Sequence, residues 1–253
     1  MHKFQELVDI IAALRDPETG CPWDAKQSSE SLVSNFIEEL YEVVEAIEEK
    51  DDEALCEELG DLMLHIVFQA QIAREHQAFE IEDVLKAIID KLVRRHPHVF
   101  GDLIIADAEG VKMNWEHIKR VEKTDRESVL DGVPRSMPAL IQAHRTQEKA
   151  ASVGFDWPDL PPILGKIDEE REELYEALNA GDAEAIQEEL GDLLFSIVNL
   201  SRKLGIDAEA ALKDATRKFY RRFRYVEDQY NKTDIHEASL EELEFHWESA
   251  KKQ

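Results

Sequence analysis

The chain has 253 residues, 43% of them hydrophobic, enough for one large folded domain or two small ones. Lys plus Arg total 30 against 56 Asp plus Glu, a formal charge of −26. That balance argues against a nucleic-acid backbone or an anionic membrane as main partner, and any phosphate ligand needs metal ions or a local basic cluster. The two cysteines, Cys21 and Cys56, form no CxxC pair. No apolar run approaches the roughly 18 residues of a membrane span. The chain begins directly with an amphipathic segment and has no secretory apolar region, so a cytoplasmic protein is expected.

Helical spacing of apolar residues begins in FQELVDIIAALR, 4–15, and Asp16-Pro17 stops it. Gly20-Cys21-Pro22-Trp23-Asp24 reads as a turn-rich loop. The pattern then predicts helices over roughly 29–49, 52–76, 80–95 and 109–123. DRESVLDGVPRSMP follows, carrying Gly and two Pro, and marks a linker at 126–138. Helices resume at roughly 139–151, 162–179, 182–203, 207–230 and 239–251. No segment alternates with the period of two that a strand needs, so the fold class is all-α.

The halves repeat each other. EELYE at 38–42 aligns with EEREE at 169–173, and EELGDL occurs at 57–62 and again at 188–193, all at an offset of 131. KLVRR at 91–95 matches KFYRR at 218–222, and the Trp-x-x-x-Lys pair Trp115/Lys119 matches Trp247/Lys251. Gly20-Cys21-Pro22-Trp23 resembles Gly154-Phe155-Asp156-Trp157. The chain is therefore a tandem duplication, with helical domains at 1–125 and 139–253.

Within each copy, four acidic residues have a spacing that brings them together. Glu39 and Glu42 are three apart on one predicted helix, as are Glu58 and Asp61 on the next, so each pair shares a face. Glu42 and Glu58 are each eight residues from the turn near Lys50, and Glu39 and Asp61 are each eleven. An antiparallel hairpin sets equidistant residues at one height, so four carboxylates converge. Around Gly181 the second copy pairs Glu173 with Glu189 and Glu170 with Asp192. Gly181 suits a helix C-cap and Asp182 an N-cap. A hard divalent cation relieves the mutual repulsion of such a cluster, and Mg²⁺ with its oxygen preference fits, with Mn²⁺ able to substitute. Gly60 and Gly191 interrupt the helices at a cost of about 1 kcal/mol each against alanine, which predicts a close backbone approach there. A ferritin-like di-iron centre needs Glu-x-x-His, and none of the nine histidines has Glu three residues before it.

Basic and aromatic residues supply the rest. Lys218, Arg221 and Arg222 share a helix face suited to clamping phosphates, as do Lys91, Arg94 and Arg95 in the first copy. Trp247 beside Lys251, and Trp115 beside Lys119, offer a ring for a base or ribose and an ammonium for a phosphate. His96 and His98 have no second-copy counterpart and read as structural. Lys166 lies four residues before Glu170, on the same face, where the first copy has Asn35.

EExxE followed by ExxD, with GCPWD before and KLxRRHPHVF behind, resembles the MazG family of all-α nucleoside triphosphate pyrophosphohydrolases, related to dimeric dUTPases and phosphoribosyl-ATP pyrophosphatase. The resemblance spans nearly the whole chain, including the DGVPRSMPAL linker. It implies tandem helical bundles of the all-α NTP pyrophosphatase type, a homodimer, and Mg²⁺-dependent hydrolysis of nucleoside triphosphates with broad choice of base. It implies Glu170, Glu173, Glu189 and Asp192 as metal ligands, and Lys166, Lys218, Arg222, Trp247 and Lys251 as nucleotide contacts. It also places the working site in the C-terminal copy. The repeat leaves Glu39, Glu42, Glu58, Asp61, Lys91, Arg95, Trp115 and Lys119 as a candidate second site. Charge considerations add Glu169 or Glu170 as the group that orients or deprotonates water. The alternatives are a narrow dUTPase-like or phosphoribosyl-ATP pyrophosphatase-like enzyme, or a non-catalytic acidic scaffold for a basic partner.

Overall fold

The computed structural model describes every residue except 1, 108–109, 112–113, 116–117, 119–121, 123–126, 231–233 and 253. Regular structure among the described residues is entirely helical. The chain divides into two compact units, Met1–Thr124 and Asp125–Gln253.

The first unit opens with α1 (His2–Leu14), which buries Val8 and Ile11. After it, Arg15 is buried, and its guanidinium donates to both carboxylate oxygens of Glu75 at 2.8 and 2.6 Å. The same group donates to the carbonyls of Asp24 and Gln27 and stacks on Phe68. This pins the Gly20–Asp24 loop to the bundle. Gly20 is required by close approach, since a Cβ there would lie 2.4 Å from the Leu14 carbonyl oxygen.

Helix α2 runs from Val33 to Glu49 and begins four residues later than the apolar pattern predicts. Ser28 and Ser31 exchange backbone-to-hydroxyl bonds of 3.0 and 3.2 Å, giving those amides a local alternative to helix. The α2 C-cap, Lys50, takes the left-handed conformation, and Asp51 caps α3 (Asp52–Glu75) by accepting from Glu53 N and Ala54 N. Helix α4 (Ile81–Arg95) starts with a Glu80/Asp83 capping box, and the short α5 spans Pro97–Phe100. α2 packs along α3, and α1 and α4 pack against α3. Ile11, Leu32, Val67, Phe68, Ile72 and Ile81 anchor the core.

The second unit holds α6 (Ala139–Ala151), α7 (Leu160–Ala180), α8 (Ala183–Lys203), α9 (Ala208–Glu227) and α10 (Leu240–Ala250). Its principal hairpin, α7–α8, turns through Gly181 at φ 70° and Asp182, whose carboxylate accepts from Glu184 N and Ala185 N. α6 and α9 pack on α8, and α10 packs on α9. Ile163, Ala177, Val198, Val226 and Ala250 are buried. Residues 127–138 lie within this unit, where the Lys149 ammonium donates to the carbonyls of Val129 and Asp131.

The close approach expected at Gly60 and Gly191 is not there. A Cβ at either position would meet nothing within 4 Å among the described atoms. Both glycines lie on exposed strips of their helices, beside Leu59 and Met63 in α3 and Leu190 and Leu194 in α8.

Candidate metal and phosphate site

The two hairpins bring carboxylates together in each unit. In the C-terminal copy, one oxygen each of Glu170, Glu173 and Glu189 lies within 4.8 Å of the others. In the N-terminal copy the same holds for Glu39, Glu58 and Asp61. The fourth acidic residue stands just outside the tight set in both, Asp192 in one and Glu42 in the other, yet remains within electrostatic reach. Desolvation, reinforced by neighbouring negative charge, raises the carboxyls of Glu173 and Glu189 above their ordinary range. Glu39 and Glu58 are raised for the same reasons, with Glu42 among the neighbours acting on both.

Raised carboxyls in a cluster mark unrelieved negative charge. A donor set made only of carboxylate oxygen fits a hard divalent cation. Glu170, Glu173 and Glu189 therefore suit the Mg²⁺ or Mn²⁺ that the sequence implied.

One cation already touches the C-terminal cluster. The Lys166 ammonium lies 2.8 Å from Glu169 Oε1 and 2.7 Å from Glu170 Oε1, and these two partners hold it firmly protonated. Glu170 is buried, whereas Glu169 is exposed and outside the three-donor set.

The basic helix α9 presents Lys218 and Arg221 to an open groove of about 540 Å³, lined also by Ala211, Asp214, Ala215 and Arg217. None of the clustered carboxylates lines it. Arg222 is half-buried and acts through space on Glu248. Trp247 packs on Phe219 with ring centroids 5.0 Å apart, and Lys251 ion-pairs with Glu248. The structure thus joins Lys166 to the carboxylates and gathers Lys218 with Arg221, and Trp247 with α9, as separate groups.

In the first copy, the counterparts of the basic clamp are engaged. Glu122 accepts from Arg95 at 3.0 and 2.6 Å and also from Arg94, and the Arg95 guanidinium stacks 5.3 Å from the Trp115 ring centroid. Trp115 also meets His96 edge-on. Lys91 is half-buried, and Lys119 lies outside the described residues.

Two residues were missed by the sequence reading. One is Glu122, which follows Trp115 by seven residues and pairs with Arg94 and Arg95. The other is His65, a buried histidine seven residues after Glu58.

Pairing with the two arginines lowers the Glu122 carboxyl from 4.5 to about 2. A depressed carboxyl stabilises the fold above its unfolded pKa, and that stabilisation is lost as pH falls through the folded value. Wild type and Glu122→Gln should therefore differ in melting temperature at pH values above about 4.5 and converge as the pH approaches about 2. Thermal melts across that window check this. A constant difference would mean that Glu122 is not the titrating partner.

Fold and site together define a tandem all-α protein with a carboxylate cradle on a helical hairpin in each copy. The chain belongs to the MazG family: the MazG nucleotide pyrophosphohydrolase domain matches residues 27–100 and again 163–226. It is 51% identical over 98% of its length to a Thermotoga maritima protein named nucleoside triphosphate pyrophosphohydrolase/pyrophosphatase MazG, covering 95% of that protein. It is 44% identical over its whole length to the nucleoside triphosphate pyrophosphohydrolase of Escherichia coli strain K12, covering 98% of it. A crystal structure of a mazG-related protein from Thermotoga maritima aligns with 47% of this chain and 99% of its own, at 28% identity and a TM-score of 0.40.

Proposed function

We propose that this protein hydrolyses nucleoside triphosphates to the monophosphate and pyrophosphate, and does so in its C-terminal copy. The observation that carries the reading is the set of Glu170, Glu173 and Glu189 donors within 4.8 Å, with Lys166 on its edge. The names of the full-length relatives support the same activity.

Glu170, Glu173, Glu189 and Asp192 would hold Mg²⁺, with Mn²⁺ as substitute. When bound, such a cation supplies positive charge to the triphosphate and Lewis acidity toward a water. The chain's own groups do the rest. Lys166, on the edge of the set beside Glu170, would meet a phosphate oxygen. Glu169, which lies outside the tight donor set, accepts a proton from the attacking water. The water oxygen bonds to the α-phosphorus, and the bond from that phosphorus to the α–β bridging oxygen breaks. Pyrophosphate leaves with the electron pair. Lys218, Arg221 and Arg222 stabilise its charge.

Trp247 and Lys251 serve the nucleoside end. A ring face stacks on any base without reading its edge, which supports a broad choice of base and a role in nucleotide-pool housekeeping. The exposed apolar stripe Leu190, Leu194 and Ile197 on α8 recurs as Leu59, Met63 and Ile66 on α3 and supports a homodimer. The acidic charge argues against nucleic acid as the main partner. No helix among the described residues is long and apolar enough to cross a membrane, and the cytoplasm is the compartment where such substrates are found.

The test is product analysis after incubation with each nucleoside triphosphate and Mg²⁺. ATP should give AMP and pyrophosphate in equal amounts. ADP and orthophosphate as first products would mean attack at the γ-phosphorus and overturn the assignment. Turnover of a single base would make the enzyme a narrow dUTPase-like one, and no pyrophosphate from any nucleotide would leave a non-catalytic scaffold.

A further inference from the structure

His65 takes no part in the reaction just described. It follows Asp61 by four residues and Glu58 by seven on α3, so the three side chains share a face. Its side chain is 7% exposed, and its Nε2 points to Glu39, 3.9 Å from Oε1. Its Nδ1 is buried with no hydrogen-bond partner. The ring packs against Phe36 with centroids 5.6 Å apart. Nδ1 thus lacks the partner that buried polar atoms ordinarily have, while Nε2 reaches the cluster through Glu39, His65 itself standing outside the three-residue set.

We propose that His65 is a nitrogen ligand to a divalent cation held by Glu39, Glu58 and Asp61, so that the N-terminal copy selects an imidazole-accepting ion such as Zn²⁺ or Co²⁺ over Mg²⁺. The inference rests on reading the carboxylate clusters as metal centres, but it does not depend on hydrolysis. Two donors each about 2.0–2.2 Å from one ion can lie up to about 4.4 Å apart, so the 3.9 Å between His65 and Glu39 is spanned by a single ion. Glu39 is the shared member, since its carboxylate also lies within 4.8 Å of the Glu58 and Asp61 donors.

Oxygen donors suit Mg²⁺, whereas imidazole draws the later first-row ions. The second copy lacks the nitrogen: Ser196 stands at the position of His65, 131 residues on, and is also buried. The second copy instead has Lys166 against Glu170, where the first has Asn35. The two clusters therefore differ in donor chemistry although their carboxylates repeat.

The test uses the untagged full-length chain carrying Glu173→Gln and Glu189→Gln, which disable the C-terminal cluster. Zn²⁺ and Mg²⁺ affinities are measured by titration calorimetry, and the Co²⁺ form is observed by proton NMR. The Co²⁺ form should show a hyperfine-shifted imidazole N–H resonance, protected from solvent because Nδ1 is buried. His65→Gln should remove that resonance and weaken Zn²⁺ by about tenfold or more while leaving Mg²⁺ within about twofold. His65→Ser, which reproduces the second copy, serves where the Gln variant does not fold. Absence of the resonance from the parent chain, its persistence in the variant, or equal weakening of Zn²⁺ and Mg²⁺ would overturn the proposal. Nucleotide turnover is not read in this experiment, so its failure leaves the hydrolase reading standing. Conversely, a chain that fails to hydrolyse nucleotides can still show the His65 signal.

Discussion

Glu173→Gln should lower turnover of MgATP by about a hundred- to a thousandfold, while Glu42→Gln leaves it within about twofold. The substitution keeps size and hydrogen-bonding capacity but removes one negative charge from the set formed with Glu170 and Glu189. A loss of about 3–4 kcal/mol in metal-borne stabilisation of the transition state corresponds to that factor. Glu42 holds the equivalent place in a copy whose phosphate-binding parts differ. Asn35 replaces the ammonium of Lys166, and Arg94 and Arg95 are both paired with Glu122. Both variants should fold, because neither side chain is buried, and coincident melting curves check this. Equal losses from the two substitutions, or loss from Glu42→Gln alone, would move the site to Glu39, Glu42, Glu58 and Asp61.

Chelation should be as severe as the Glu173 substitution. Treatment with EDTA is expected to reduce activity to below about 1%, and added Mg²⁺ or Mn²⁺ should restore it. Local desolvation within the cluster and mutual repulsion already push the carboxyls of Glu173 and Glu189 upward, and a triphosphate would bring further negative charge to the same place. Lys166 alone cannot offset this, since it is shared between Glu169 and Glu170. The cation should also raise the melting temperature, and raise it further with the logarithm of its concentration above Kd, because it binds the folded hairpin and not the unfolded chain. Undiminished turnover in the chelator would sink the metal-centre reading.

The hairpins were legible in the sequence because their information is local. A three-residue spacing fixes a helix face, and equal distances from a turn fix the height across a hairpin, so the convergence of Glu170, Glu173 and Glu189 could be derived before any fold was known. Gly181 and Asp182 announced the turn by their residue types. In the first copy Lys50 occupies the same left-handed conformation without being glycine, at φ 59°, which its residue type does not announce. The late start of α2 depended on two serine hydroxyls reaching backbone amides, which composition alone does not predict. Glu122 and His65 escaped for a different reason. The importance of each comes from a partner on another segment, Arg94 and Arg95 for Glu122 and Glu39 for His65. The expected crowding at Gly60 and Gly191 failed because a helical glycine in sequence does not reveal which way its missing side chain would have pointed.

The two hairpin turns contain two residues each, 50–51 and 181–182, and the clustered carboxylates lie well back along the helices from them. The cradle is therefore aligned by helical phase and not by a loop. One residue added within α8 between Asp182 and Glu189 would turn every later side chain by about 100° and advance it by about 1.5 Å. Glu189 and Asp192 would leave the face of Glu170 and Glu173, although every carboxylate would still be present in the chain. An architecture of this kind tolerates exchange of side chains along its outer surfaces but not a change of count between the turn and the cradle. The spacing from turn to carboxylate is thus as much a part of the site as the carboxylates themselves.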